Sequence, residues 1–216
     1  MPRSRYAAVL FDLDGTLTDP FEGITRCVEY ALTPLGLVCP DEEALRLWVG
    51  PPLRDSFLRH LGDPALADAA VERYRERYGT LGLYENLLYP GIPELLGALR
   101  EAGARLFVAT SKIRHPAEGV LAHFALADYF EAVSAPDPAD SAQKAEVIAA
   151  LRDRIGADWD SAVMVGDTVY DVEGARQNGL PCIAVSYGYG PREMVAAAGP
   201  LAIADSIAEL RELLLH

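Results

Sequence analysis

Two hydrophobic periods divide the chain. Val9-Leu10-Phe11 is a short apolar run that ends in Asp, Gly and Thr, the pattern of a buried strand entering a turn. Ile24, Cys27, Val28, Ala31, Leu32 and Leu35 then recur at helical spacing, and Pro34 predicts a helix end near Thr33. Further helices are predicted over about 41–48, 53–61 and 64–79, with Gly50-Pro51-Pro52 separating the first two. No strand pattern occurs between 17 and 87, so this stretch reads as an all-helical insert. From residue 88 strands and helices alternate. A helix entered at Pro93 carries Leu95, Leu96 and Leu99 on one face and stops before Gly103. Strands follow at 105–110, near 131–134, at 162–165 and at 182–185. Helices are predicted near 116–124, 143–154, 171–178 (closed by Gly179) and 205–214, with Ser134–Ser141 a loop.

Alternating strands and helices imply an α/β fold, an open parallel sheet with helices on both faces and right-handed crossovers. The 216 residues suffice for one core plus a small accessory domain. A net charge of −13 argues against a nucleic-acid partner, since phosphate backbones require basic patches. Cys27, Cys39 and Cys182 are far apart, with no disulfide framework or zinc spacing, which fits a reducing cytoplasm. The apolar run near the N-terminus is too short for a secretory segment, and no uncharged run is long enough for a bilayer, so no membrane partner is expected.

The chemistry concentrates at strand ends. Asp12 and Asp14 lie two apart at the carboxyl end of the first strand, where open α/β sheets bind ligands. Residues at i and i+2 of an extended chain point the same way, and two close carboxylates call for a cation or a shared proton. Oxygen-only ligands suit Mg²⁺. Gly166-Asp167 ends the strand at 162–165, and Asp171 follows at a helix start, where a carboxylate also complements the helix dipole. Thr110 and Ser111 end another strand, where a hydroxyl either caps a turn or donates to a phosphate oxygen. Lys144 sits near a predicted helix start, against the dipole, where lysine and free N–H groups make an anion site; Lys112 is the rival cation.

Phe11-Asp12-Leu13-Asp14-Gly15-Thr16, Val108-Ala109-Thr110, Lys144 and Val165-Gly166-Asp167 with Asp171 occur in this order, and together they resemble the haloacid dehalogenase-like superfamily, in the branch with a helical cap inserted after the first motif. The resemblance implies a Rossmann-like three-layer core with strand order 5-4-1-2-3, formed by residues 1–16 and 88–216, and a cap at 17–87. It implies that Asp12 attacks phosphorus to give an aspartyl-phosphate and that Asp14 serves as general acid and base. Thr110 and Lys144 would bind phosphoryl oxygens. Asp12, the Asp14 carbonyl and Asp167 would hold Mg²⁺, with Asp171 either a further ligand or an acceptor behind them.

Asp14 argues for phosphoester chemistry, because family dehalogenases lack the second aspartate. The insert contains no lysine for the Schiff base of a phosphonoacetaldehyde hydrolase. Gly23-Ile24-Thr25-Arg26, Gly50 to Phe57 and Tyr89-Pro90-Gly91-Ile92 resemble the branch of phosphoglycolate phosphatases and 5′-nucleotidase-like proteins, with Gly50 and Arg54 facing the substrate. The expected function is Mg²⁺-dependent hydrolysis of a small phosphomonoester. A sugar-phosphate mutase and a non-catalytic phosphometabolite sensor are the alternatives. A nucleotide-driven kinase is disfavoured, because no Gly-x-x-x-x-Gly-Lys loop is present.

Overall fold

The first strand, β1 (Ala8–Phe11), is followed by β2 (Thr18–Asp19) and then by α1 (Phe21–Leu32), α2 (Glu42–Arg46), α3 (Leu53–Leu61) and α4 (Pro64–Arg77) before the chain returns through β3 (Leu87–Leu88). The computed structural model describes residues 3–137 and 142–216. The rest alternates as α5 (Ile92–Glu101), β4 (Arg105–Ala109), α6 (Arg114–His123), β5 (Ala132–Ser134), α7 (Lys144–Ala149), α8 (Arg152–Ile155), β6 (Ala162–Gly166), α9 (Val169–Gln177), β7 (Cys182–Val185), α10 (Arg192–Ala197), β8 (Ala202–Ala204) and α11 (Ile207–Leu214).

Six strands form one parallel sheet in the order β5-β4-β1-β6-β7-β8. Side chains alternate across it, so each strand feeds two cores. Val9, Phe11, Val108, Val163 and Val165 face α5, α6, α11 and the helical insert. Ala8, Leu10, Phe107, Ala109 and Met164 face α7 to α10. Leu10 lies between Phe107 and Met164 in register, which sets the carboxyl ends of β1, β4 and β6 level with one another. The chain reverses direction across the sheet between β1 and β6, the crevice where such sheets bind ligands.

The insert is an aromatic-centred bundle. α1 buries Ile24, Cys27, Val28, Ala31 and Leu32 as its spacing predicts, whereas Leu35 lies beyond its end and is exposed. Asp41 caps α2 through Ala44 N–H, and Asp63 caps α4 through Ala65 and Leu66 N–H. Trp48, Phe57, Tyr74 and Tyr78 run ring to ring through the bundle at centroid distances of 4.9, 6.2 and 5.4 Å.

Four details depart from the expected elements. The 5-4-1-2-3 order gains a sixth strand, β8, at one edge, and α10 precedes it. α10 buries only Val195, so it has no apolar stripe to read. β2 falls inside the stretch expected to lack strands, pairing antiparallel with β3 over two residues each, too short for a period to show. The helix expected over about 143–154 is two helices, α7 and α8. In the loop expected at 134–141, Ser134 instead ends β5, and residues 138–141 lie outside the described residues.

Candidate active site

Asp12, Thr110, Lys144, Asp167 and Asp171 are buried at the carboxyl end of the sheet, each 6% exposed or less. β1, β4 and β6 deliver Asp12, Thr110 and Asp167 from adjacent carboxyl ends, while α7 and α9 supply Lys144 and Asp171. Lys144 Nζ lies 2.8 Å from Asp12 Oδ1 and 3.0 Å from Asp171 Oδ1, and donates to the Ala109 carbonyl at 3.1 Å. Leu13 N–H donates to Asp12 Oδ1 at 2.8 Å. Asp171 also does the helix-start work its position predicts, because its Oδ2 accepts from Thr168 N–H and Thr168 Oγ1.

Carboxylate oxygens of Asp12, Asp167 and Asp171 lie within 4.8 Å of one another. Burial pushes the Asp12 carboxyl up to about 6, against the pull of Lys144, with the Asp171 charge adding to the rise. Burial likewise lifts Asp167 well above the usual carboxylate range, reinforced by Asp171 and Asp12. For Lys144 burial opposes the ammonium, but Asp12 and Asp171 outweigh it and keep the amine charged. One ammonium therefore faces three buried carboxylates, and unpaired buried charge is costly. The donor set is oxygen only, and Asp171 Oδ1 makes no hydrogen bond among the described residues, its contact being the Lys144 ammonium. These residues fit a hard divalent cation.

Gly15 makes the approach of the first loop to Asp167 feasible. It adopts φ +82°, and a Cβ there would fall 2.3 Å from Asp167 Oδ2. Asp14 leaves the cluster: its Oδ2 meets Lys112 Nζ at 2.5 Å, and its buried Oδ1 has no hydrogen-bond partner among the described residues. The two candidate lysines thus serve different aspartates. Lys112 also lies 4.7 Å from the Tyr78 ring centroid, touching the insert.

Asp12, Asp14, Thr110, Ser111 and Lys112 open onto a cavity of about 230 Å³ between sheet and insert. Its opposite wall is Ile24, Trp48, Pro51, Leu53, Tyr74 and Tyr78, and Gly50 and Arg54 also line it. Arg54 is held in a two-pronged ion pair with Asp68, Nε to Oδ1 at 2.6 Å and a second nitrogen to Oδ2 at 3.3 Å. Sequence reasoning missed Thr16, whose hydroxyl donates to Asp167 Oδ1 at 3.4 Å, and Tyr189, whose N–H donates to Asp167 Oδ2 at 2.8 Å. The signal for the second was the glycine-spaced Tyr187-Gly188-Tyr189-Gly190 directly after a strand.

The chain is 44% identical over 212 residues to a 5′-nucleotidase of Pseudomonas aeruginosa, covering 97% of this chain and 96% of that one. It is 37% identical over 209 residues to the tyrosine-protein kinase PtkA of Mycobacterium tuberculosis, covering 95% of this chain and 72% of that one. The crystal structure of a predicted phosphatase from Clostridium acetobutylicum superposes with a TM-score of 0.91 at 40% identity, over 96% of this chain and 97% of that one. Residues 9–185, which span β1 through β7 and hold the whole aspartate cluster, match the haloacid dehalogenase-like hydrolases, and the chain belongs to that family.

Proposed function

We propose that the chain is a Mg²⁺-dependent phosphatase that hydrolyses small phosphomonoesters through an aspartyl-phosphate on Asp12. The observation that carries the reading is the buried group of Asp12, Asp167 and Asp171 around Lys144, opening through Asp12 onto a cavity. In the first step a carboxylate oxygen of Asp12 bonds to phosphorus while the bond to the leaving oxygen breaks, and Asp14 gives that oxygen a proton. In the second step Asp14 takes a proton from water, the water oxygen bonds to phosphorus, and the acyl-phosphate bond breaks to release phosphate. The ion pair with Lys112 suits the second step, where Asp14 must be a carboxylate. Lys144 aligns Asp12 and offsets phosphoryl charge, and the Thr110 and Ser111 hydroxyls donate to phosphoryl oxygens. Asp12, Asp167, Asp171 and the Asp14 carbonyl would hold the metal, and Mg²⁺ there would supply the positive charge that lets a carboxylate approach a phosphoryl group.

Residues 17–87 act as a cap that selects the leaving group over a core of 1–16 and 88–216. The cap wall is apolar and aromatic, and its Arg54 is engaged by Asp68. A leaving group with an uncharged, flat body suits this wall, whereas a second carboxylate would be desolvated beside an acidic site. Of the two expected branches, this favours nucleoside 5′-monophosphates over phosphoglycolate, in keeping with the name of the Pseudomonas relative. The kinase name of the mycobacterial relative has no counterpart here in a phosphate-cradling Gly-x-x-x-x-Gly-Lys loop. Among the described residues no helix is long and apolar enough to cross a membrane, and all three cysteines are free, which agrees with a cytoplasmic enzyme.

The test is a panel of phosphomonoesters with and without Mg²⁺: p-nitrophenyl phosphate, nucleoside monophosphates, sugar phosphates and phosphoglycolate. The expected result is Mg²⁺-dependent release of phosphate that Asp12→Asn lowers by at least about 10³-fold. Turnover retained by Asp12→Asn, or no release from any ester, contradicts the reading.

A further inference from the structure

The loop after β7 reaches both the aspartate cluster and the root of the helical insert. Its backbone presses on Asp167. Tyr189 N–H donates to Asp167 Oδ2 at 2.8 Å. A Cβ on Gly188 would fall 2.4 Å from the Asp167 side chain, and one on Gly190 would fall 2.1 Å from the Asp167 carbonyl oxygen. Nothing larger than glycine fits at either place, so a displacement of this loop acts directly on Asp167.

Its side chains reach the other way. The Tyr189 hydroxyl donates to Asp19 on β2, the strand that leads into the insert. The Tyr187 hydroxyl donates to the Thr16 carbonyl at 3.1 Å, and Tyr89, just beyond β3, packs its ring edge-on against Tyr187 at 5.0 Å. Both strands that carry the insert are therefore fastened to this one loop.

The insert adds its own contact. Phe21, the first residue of α1, stacks on the Tyr189 ring at 5.8 Å and 15°. The Arg46 guanidinium, at the end of α2, lies 5.1 Å from the Tyr189 ring centroid and 5.7 Å from that of Phe21. Arg46 is exposed and far from the cluster in sequence, yet one residue links it to a carboxylate of the metal site.

We propose that Tyr189 is a positioning residue for Asp167, and that Arg46 of the insert sets Tyr189, so that the seating of the insert controls the divalent-metal site. This rests on the metal reading above and does not depend on which ester is hydrolysed. Partners that orient a metal ligand typically change metal affinity by about 10–100-fold when removed. The ring of Tyr189 holds the Arg46 and Phe21 contacts, and its hydroxyl holds the Asp19 contact; the two can be removed separately.

The experiment measures Mg²⁺ binding by isothermal titration, and the melting temperature with and without Mg²⁺, for the wild type, Tyr189→Phe, Arg46→Leu and the double variant. Tyr189→Phe keeps the backbone N–H bond to Asp167 and removes only the hydroxyl contact to Asp19, and is expected to weaken Mg²⁺ by about three- to tenfold, the range of one hydrogen bond. Arg46→Leu is expected to weaken it about two- to fivefold, the range of an exposed cation–π contact. The double variant is expected to lose about the product of the two single losses, since Tyr189→Phe removes the hydroxyl contact and Arg46→Leu the ring contact. Mg²⁺ affinities within twofold of wild type in both single variants overturn the proposal. So does a Tyr189→Phe protein whose metal-free melting temperature falls while its Mg²⁺ affinity holds, because that is the signature of a purely structural tyrosine. A wild type without saturable Mg²⁺ binding overturns both this and the metal reading. A wild type that binds Mg²⁺ with the expected losses but hydrolyses no ester supports the coupling and removes the phosphatase reading alone.

Discussion

The two walls of the active-site cavity are built by opposite rules. The sheet side carries the charge: Asp12, Asp14 and Lys112 line it, and behind them Lys144 pairs with Asp12 and Asp171 in a buried cluster built on strand ends and helix starts. The insert side is apolar, with Ile24, Trp48, Tyr74 and Tyr78 offering surface rather than directed bonds. Directed bonds fix where a reacting atom must sit, while apolar surface admits any body of suitable shape. The contrast assigns chemistry to one wall and choice of substrate to the other.

The largest effect that would break this contrast lies at Lys144. Lys144→Met removes the one ammonium within 3.0 Å of both Asp12 and Asp171 and leaves their charges buried without it. Loss of one partner of a buried charge pair costs about 3–5 kcal/mol, so urea unfolding should show a drop of that size in metal-free protein, together with loss of turnover. An unchanged unfolding midpoint would show that the cluster is not held as described.

A smaller effect tests the apolar wall. Trp48→Leu keeps a buried apolar side chain but removes the ring. KM for a nucleoside monophosphate should rise about tenfold, equivalent to the ~1.4 kcal/mol of one aromatic contact, with kcat within about twofold. A fall in kcat with KM unchanged would place the insert in the chemistry and erase the division between the walls.

The smallest effect concerns how the insert is tied to its own root. Glu85 accepts from Arg77 at 2.6 and 2.9 Å and from Arg26 at 2.7 Å, and its bond to Arg77 holds its carboxyl down at about 2. Because the folded value lies below the ordinary carboxylate value of 4.5, the pair stabilises the fold fully above pH 4.5 and loses that contribution as pH falls toward 2. Glu85→Gln should therefore flatten the decline in stability across that window, with a difference near ~1 kcal/mol after solvent screening, readable from denaturant midpoints at several pH values.

The charged wall was legible in the sequence, and the apolar wall was legible only as a fold element. Asp12, Asp14 and Asp167 follow apolar strand residues, and a carboxylate at a buried strand tip has few reasons to be there. Lys144 stood out because it opposes a helix dipole, and the structure supplies the compensation in Asp12 and Asp171. Trp48, Tyr74 and Tyr78 gave no such signal, since an aromatic residue facing a cavity has the same sequence pattern as one in a core. β2 and β3 were hidden by their two-residue length, and Tyr189 because its bond to Asp167 comes from the backbone. For Asp14 the expected metal contact was the backbone carbonyl; its carboxylate pairs with Lys112, a contact across 98 residues of sequence that no local pattern encodes.

The covalent step on Asp12 is the centre of this account, and acid-quenched turnover followed by borohydride reduction tests it most directly. Reduction converts an aspartyl-phosphate to homoserine, which mass spectrometry of the peptide spanning residue 12 detects. The account predicts homoserine at residue 12 and at no other aspartate, and its absence from Asp12→Asn protein. Steady phosphate release with aspartate intact at residue 12 throughout would contradict it.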